Sequence, residues 1–124
     1  MKLCQDVKES LLFSDRGEDV NTFNGQFCFD KGLNVFKGHF PNLPVLPGIM
    51  QIEMVRCILE KNTGMSYRIS KVAKAKFNRP VAPGEIVSIS ISLKHVQNGS
   101  SEVKALLSVG GKPSAKIVAT FSVN

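Results

Sequence analysis

Alternating apolar and polar residues dominate the second half of the chain. From Ile86 to Val96 apolar side chains occupy every second position, and serine or lysine fills most positions between them. This two-residue period is typical of a strand that buries one face. Similar runs cover residues 103–109 and 117–123, separated by Asn-Gly and Gly-Gly sequences that favour tight hairpin turns. The pattern therefore predicts an antiparallel meander.

Apolar runs elsewhere predict further strands. Tyr67 to Phe77 has strand character, and so does Phe23 to Phe29, in which the phenylalanines lie in register. An Asp-Lys-Gly turn then leads the chain into a further short segment, Leu33 to Phe36.

A helix is predicted from Ile49 to about Asn62. It begins just after Pro47 and Gly48, and it ends before Gly64, a residue that commonly caps helix C-termini. Apolar side chains nearly encircle this segment, and a helix that is apolar on most sides is buried on most sides.

These elements predict an α+β fold in which an antiparallel sheet of roughly five to six strands wraps around one long central helix. The 124 residues are enough for one domain, so residues 1–124 are expected to form it alone. Because a sheet of this size leaves part of such a helix uncovered, we expect a partner subunit to complete the core.

Composition leaves several partners open. The net charge of +6 suits nucleic acid, an anionic membrane, or an acidic protein or anionic ligand. No interleaving of aromatic and basic residues favours nucleic acid. No apolar run approaches the ~20 residues that span a bilayer, and the first ten residues are too polar for a signal peptide. A soluble, cytoplasmic protein is therefore expected, with neither nucleic acid nor membrane as its partner.

The cysteines favour neither a disulfide framework nor a metal site. Cys4, Cys28 and Cys57 are odd in number and scattered, without a CxxC pair. This arrangement is typical of reduced thiols, and we expect no zinc site.

The segment that leads into the helix carries candidate chemistry. It reads FKGHFPNLPVLPGIMQIEM from Phe36 to Met54, and a proline at every third position stiffens the approach. Gly48 lies where the helix begins, so the backbone N–H groups there lack helical partners and stabilise negative charge. His39 stands before this approach, and Glu53 lies within the helix.

This set of residues suits the elimination of water β to a thioester carbonyl. An imidazole such as that of His39 has the near-neutral pKa that a base for the α-proton needs. Charge that builds on the thioester oxygen meets the N–H groups at Gly48. The carboxyl of Glu53, flanked by apolar residues, is placed to supply or relay a proton to the leaving hydroxyl. This chemistry requires no metal and no cofactor.

Two motifs resemble one family of enzymes. Gly38 to Glu53 matches every fixed position of GHFPxxPxxPGxxxxE, and Lys76 to Glu85 matches a KFxRPVxPGD/E turn that follows a strand. Both motifs are similar to those of the 3-hydroxyacyl-[acyl-carrier-protein] dehydratases of bacterial fatty acid synthesis, the FabZ type. The resemblance covers about residues 20 to 124.

The resemblance implies a hotdog fold and an active site built across a dimer interface. His39 corresponds to the catalytic histidine and Glu53 to the catalytic acid of the opposite subunit, while Gly48 corresponds to the backbone donor for the thioester carbonyl. The implied reaction converts a (3R)-hydroxyacyl thioester into a trans-2-enoyl thioester in fatty acid or related lipid biosynthesis. The implied partners are acyl carrier protein and a second copy of this chain, with a trimer of dimers left open.

The chain departs from the family pattern just after Glu53. Met54 and Arg56 replace small residues and Cys57 replaces a glutamine, so the preferred acyl chain length is open. Candidate contacts with the acyl tunnel or the carrier are Phe40, Met50, Met54, Cys57, Lys76 and Arg79. A basic docking surface for the carrier is expected from Lys37, Lys74, Lys76 and Arg79.

Other interpretations remain beside this one. Glu53 has the spacing for an ordinary ion pair with Arg56 at i+3. His95, next to a hairpin turn, is expected to be solvated. At the level of function, the alternatives are a hotdog module that binds a carrier without turnover, and a hotdog thioesterase or CoA-thioester hydratase.

Overall fold

The computed structural model describes residues 2–36 and 45–124, with side chains from Gln5 onward. A short 3₁₀ turn spans Asn34–Phe36. The helices and strands, in chain order, are α1 (Lys2–Ser10), β1 (Leu11–Arg16), β2 (Thr22–Cys28), α2 (Gly48–Thr63), β3 (Tyr67–Phe77), β4 (Ile86–Gln97), β5 (Ser100–Val109) and β6 (Lys112–Val123).

The strands form one six-stranded sheet in the order β1-β2-β4-β5-β6-β3. All neighbouring strands are antiparallel. The meander β4-β5-β6 and the strands β2 and β3 are confirmed. Since β3 pairs with β6 rather than with β4, β1 and β3 lie at the two edges of the sheet.

The core lies between the concave face of this sheet and α2. The inward residues of β4 from Val87 to Leu93 are all buried, as their alternation predicts. Met54 and Ile58 of α2 are fully buried against the sheet. Gly25 of β2 permits the close approach, because a Cβ there would lie 2.6 Å from the Cδ1 of Ile58.

The ends of α2 agree closely with the prediction. Pro47 is the N-cap residue, with extended backbone angles. At the other end, Gly64 adopts a φ of 74° and donates its backbone N–H to Glu60 O, as a C-terminal cap. The sequence missed α1, which packs against α2 and buries Val7.

Two further predictions differ from the structure. The segment from Leu33 to Phe36 contains a 3₁₀ turn and no strand. The sequence does not predict the strand β1, because Leu11, Leu12 and Phe13 are consecutive apolar residues and show no alternation. In the structure, Leu12 and Phe13 are both exposed. This strand depends on its pairing with β2 instead.

The helix α2 is largely covered, whereas both edge strands of the sheet carry exposed apolar residues. Every apolar residue of α2 except Ile49 and Cys57 is buried within the single chain, because α1 and the sheet both cover the helix. Leu12 and Phe13 of β1 and Val72 and Phe77 of β3 are all exposed. The expectation of a partly uncovered helix is therefore wrong for the described chain, and the edge strands offer apolar surface instead.

Candidate active site

Part of the predicted site lies outside the residues that the structure describes. His39 and Phe40 belong to the undescribed range 37–44, and so does Lys37 of the expected docking surface. Their roles stay predictions. Gly48 and Glu53 lie on α2 and are described.

The N-terminus of α2 has no side-chain cap. Pro47 makes no side-chain cap hydrogen bond, and no acidic residue lies in the first turn. The first bonds of the helix run to Pro47 O from the backbone N–H groups of Met50 at 3.1 Å and Gln51 at 3.4 Å. The N–H groups of Gly48 and Ile49 precede this pattern, as the first donors of a helix do. They point toward any anion placed at this end of the helix.

A cavity of about 340 Å³ opens at this helix end. The ring of Phe77 borders it so closely that a Cβ on Gly48 would lie 2.9 Å from two ring carbons. The two sequence motifs therefore meet here, one through Gly48 and the other through Phe77 and Arg79. The lining residues are Val45, Leu46, Pro47, Gly48, Gln51, Phe77, Arg79 and Pro80.

Gln51 lines the same cavity and was not predicted as a site residue. Its side chain is only 2% exposed. The Nε2 group donates to Leu46 O at 3.4 Å, while Oε1 has no hydrogen-bond partner in the part of the chain that the structure describes. A polar residue inside the apolar run GIMQIEM was the signal available in the sequence.

Glu53 lies in a different environment from the apolar wall that the sequence predicted. Arg56 approaches its Oε2 with Nη2 at 2.8 Å and with Nε at 2.9 Å. The guanidinium also donates from Nη1 to Tyr67 O at 3.4 Å. Glu53 and Arg56 border a small cavity beside Val7 and Lys8 of α1. The ion pair that the sequence left as an alternative is therefore present.

Comparison with known proteins decides the family. The model of the ApeI-like family, described as ApeI dehydratase, matches residues 15–108. The chain belongs to the ApeI-like dehydratase family. It is an enzyme, a hydro-lyase, and its resemblance to FabZ is confirmed by relatives named 3-hydroxyacyl-[acyl-carrier-protein] dehydratase FabZ.

Two of these relatives span most of this ApeI-like dehydratase. The protein from Levilactobacillus brevis is 31% identical over 91% of this chain and 83% of its own length. The protein from Clostridium acetobutylicum is 28% identical over 91% of this chain and 87% of its own length.

A solved structure supports the fold. One chain of the dehydratase heterocomplex ApeI:P from Xenorhabdus doucetiae superposes with a TM-score of 0.75 at 20% identity. The match covers 90% of this chain and 96% of that one. The hotdog fold of the ApeI-like dehydratase is thereby confirmed.

The remaining candidate residues of the dehydratase fall into separate places. Met50 and Met54 are fully buried in the core, and Cys57 is half-buried on α2, where it lines a cavity together with Lys8 of α1. Lys76 is exposed on β3, away from the lining of the cavity at Gly48, whereas Arg79 is exposed and belongs to that lining. His95 is exposed and makes a hydrogen bond with Ser101, 3.1 Å from its Nδ1 to the hydroxyl, as expected for a solvated residue.

Among the cavities lined by the described residues, Gly48 and Glu53 border different ones. Glu53 borders the cavity beside α1, and it is not one of the described residues that line the cavity at Gly48. The described part of one chain of the dehydratase therefore places the predicted acid and the predicted carbonyl donor on separate cavities.

The described residues contain neither a metal-ligand cluster nor a membrane-spanning helix. They contain no group of three or more His, Cys, Asp and Glu side chains placed to hold a metal ion. None of their helices is long and apolar enough to cross a membrane. The cytoplasmic location expected from the sequence stays a prediction.

Proposed function

We propose that this dehydratase removes water from a (3R)-3-hydroxyacyl thioester carried on acyl carrier protein and releases a trans-2-enoyl thioester, in fatty acid or related lipid biosynthesis. The observation that carries the proposal is the uncapped N-terminus of α2, which opens at Gly48 onto a cavity bordered by both sequence motifs. The named activity of the curated relatives supports the carrier-bound substrate.

The reaction follows from the chemistry of the residues. The imidazole of His39 takes a proton from C2, and the electron pair moves onto the thioester oxygen, where the N–H at Gly48 stabilises it. As the enolate collapses, the C2=C3 double bond forms and the C3–O bond breaks. The Glu53 carboxylate, which rests in its ion pair with Arg56, relays the proton held by His39 to the departing hydroxyl, which leaves as water. No oxidation occurs, and both residues end in the protonation state in which they began.

A homodimer explains why Gly48 and Glu53 of one chain border different cavities. In the proposed assembly, His39 and Gly48 of one subunit meet Glu53 of the partner subunit. The exposed Val72 and Phe77 on β3, whose outer edge has no strand partner among the described residues, offer surface for such an interface. Open edges of this kind invite pairing with another chain.

The basic residues on β3 and Arg79 at the cavity support a carrier protein as the donor of the substrate. Lys74, Lys76 and Arg79 are all exposed, and the chain as a whole carries a charge of +6. A surface of this kind speeds the encounter with an acidic carrier, and the effect weakens as salt is added.

Two substitutions test the proposed roles. We expect His39→Ala and Glu53→Gln each to lower kcat by at least about 100-fold, because each removes a proton-transfer group. The assay follows enoyl thioester formation from carrier-bound and CoA-bound substrates, together with any release of free thiol. His95→Ala and Glu102→Gln, at exposed positions, serve as matched controls and should retain wild-type rates.

The alternatives give different results in the same assay. Thiol release without an enoyl product identifies a thioesterase. A faster reaction with the CoA thioester at every salt concentration favours a CoA-thioester hydratase. If wild-type protein binds the carrier and turns over nothing, the chain is a binding module and the assignment of His39 and Glu53 is wrong.

A further inference from the structure

The buried amide of Gln51 has an unused acceptor. The side chain is 2% exposed, so water cannot freely hydrate it, and Oε1 has no partner among the described residues. Buried polar atoms are nearly always hydrogen-bonded, and leaving one unpaired is unfavourable. An exception therefore needs a physical explanation, and one explanation is a ligand whose donor meets the free oxygen.

The hydrogen bond at one end of the amide assigns the nitrogen to that end. Nε2 donates to Leu46 O, which leaves Oε1 as the free atom of the group. Gln51 lines the cavity that also contains Gly48. The guanidinium of Arg79 borders the same cavity but makes no hydrogen bond with Gln51. The cavity thus combines backbone donors at the helix end with a lining residue whose acceptor, Oε1, is covered in the free protein.

The substrate of the proposed function contains few donors near its thioester carbonyl. One is the β-hydroxyl, which is assigned to Glu53 of the partner subunit. The next is the amide N–H of the pantetheine arm, separated from the carbonyl carbon by the sulfur and the ethylene group. In an extended arm this N–H lies roughly 5 Å from the carbonyl carbon. Gln51 follows Gly48 by one helical turn, a rise of about 4.5 Å.

We infer that the pantetheine arm, on entering the cavity, displaces the cover over Oε1 of Gln51, which then accepts a hydrogen bond from the first amide N–H of the arm while Gly48 holds the thioester carbonyl. The inference rests on the proposed function and adds a recognition contact to it. Gln51 is then a binding residue for the arm, which carrier protein and coenzyme A share. Its contact distinguishes thioesters that carry this amide from those that do not.

A pair of small substrates isolates this contact. One is the 3-hydroxybutyryl thioester of N-acetylcysteamine, and the other replaces the amide N–H by an ester oxygen with the same shape. We expect the wild-type enzyme to show a kcat/KM roughly tenfold higher for the amide, the usual effect of one buried hydrogen bond. Gln51→Met should bring the ratio of the two values to about one.

Further variants separate recognition from structural support. Gln51→Glu keeps a side-chain oxygen but loses the Nε2 donor to Leu46 O, so the amide preference should persist there. Gln97→Met, at an exposed position, should leave the ratio unchanged. If Gln51→Met lowers kcat/KM equally for both substrates and keeps their ratio, Gln51 only supports the fold and the inference is wrong. A wild-type enzyme without amide preference also overturns it.

Failure of the proposed function is distinguishable from failure of this contact. If the wild-type protein turns over neither compound, nor the carrier-bound substrate, the dehydration proposal fails. The affinities of the wild-type protein for the two compounds, measured by isothermal titration calorimetry, then test the contact directly. Equal affinities contradict it, and tighter binding of the amide supports it.

Discussion

Two nitrogen atoms of Arg56 contact the same oxygen of Glu53, at 2.8 Å for Nη2 and 2.9 Å for Nε. The arginine is itself held through Tyr67 O at 3.4 Å. This chain of contacts restricts the rotamers of the Glu53 carboxylate on a helix that is otherwise buried in the core. In the proposed mechanism, Arg56 therefore serves as a positioning residue for Glu53 rather than a catalytic one.

We predict that Arg56→Ala lowers kcat by roughly tenfold with little change in KM, because a misplaced proton donor slows the chemical step. Steady-state kinetics with the carrier-bound substrate measures this split. Arg56→Lys should recover part of the loss. Arg68→Ala removes another arginine that donates to a backbone carbonyl, Val123 O, and is the matched control. An unchanged kcat in Arg56→Ala contradicts the positioning role.

At the residue scale, the sequence predicts the positions of candidate site residues better than it predicts the contacts around their side chains. The spacing of the motif placed Gly48 at the first residue of α2, which the structure confirms. The sequence left two environments open for Glu53, because the i+3 spacing permits a contact with Arg56 but does not decide the rotamers. The sequence does not identify Gln51 as a site residue, because its neighbours in the cavity include Phe77, which lies far from it in sequence and is brought close only by the fold.

At the scale of elements, the distance between β2 and α2 depends on Gly25. A Cβ at this position would meet Ile58 Cδ1 at 2.6 Å and Phe13 O at 3.2 Å. Either the helix moves away from the sheet or Ile58 leaves its rotamer. Since α2 carries the donors at Gly48, such a movement also shifts the helix end that borders the cavity.

We predict that Gly25→Ala lowers the free energy of unfolding by about 1–3 kcal/mol, the usual effect of overpacking a core. Urea denaturation measures it. Gly32→Ala is the matched control, because no atom lies closer than 3.7 Å to a Cβ there. Adding Ile58→Val, which removes Cδ1, should recover part of the loss in the Gly25→Ala protein. If the two substitutions are additive, the contact with Ile58 is not the cause.

The sequence predicts elements where a periodic pattern exists. The strands β3 to β6 and the helix α2 lie close to their expected bounds, because alternation and helical capping are local signals. The helix α1 carries mostly polar residues, and among its described side chains Val7 is the apolar one that is buried. One buried apolar residue gives no helical periodicity in the sequence, so α1 is recognised only from its packing against α2 in the structure.

At the scale of the whole molecule, the open edge at β3 and the separation of Gly48 from Glu53 point to one arrangement. Both are explained when a second copy of the chain supplies the acid. The sequence anticipated a partner for a different reason, an uncovered helix, which α1 removes. Local periodicity in the sequence does not show which distant element will cover a helix.

We predict that mixing the inactive variants His39→Ala and Glu53→Gln restores activity. Random pairing of two chains gives one intact site in four, so recovery should approach roughly a quarter of the wild-type rate. Activity is measured after the chains have exchanged, and native mass spectrometry verifies hybrid dimers. Hybrid dimers without any recovery would place both catalytic groups of a site in the same chain.

The contact between Phe77 and Gly48 also couples changes at two separate places in the sequence. A Cβ at position 48 would lie 2.9 Å from the ring, so a side chain there obliges the ring of Phe77 to move. A larger residue at position 48 of this chain therefore favours a compensating smaller one at position 77. The two motifs, though separate in sequence, are coupled at this contact.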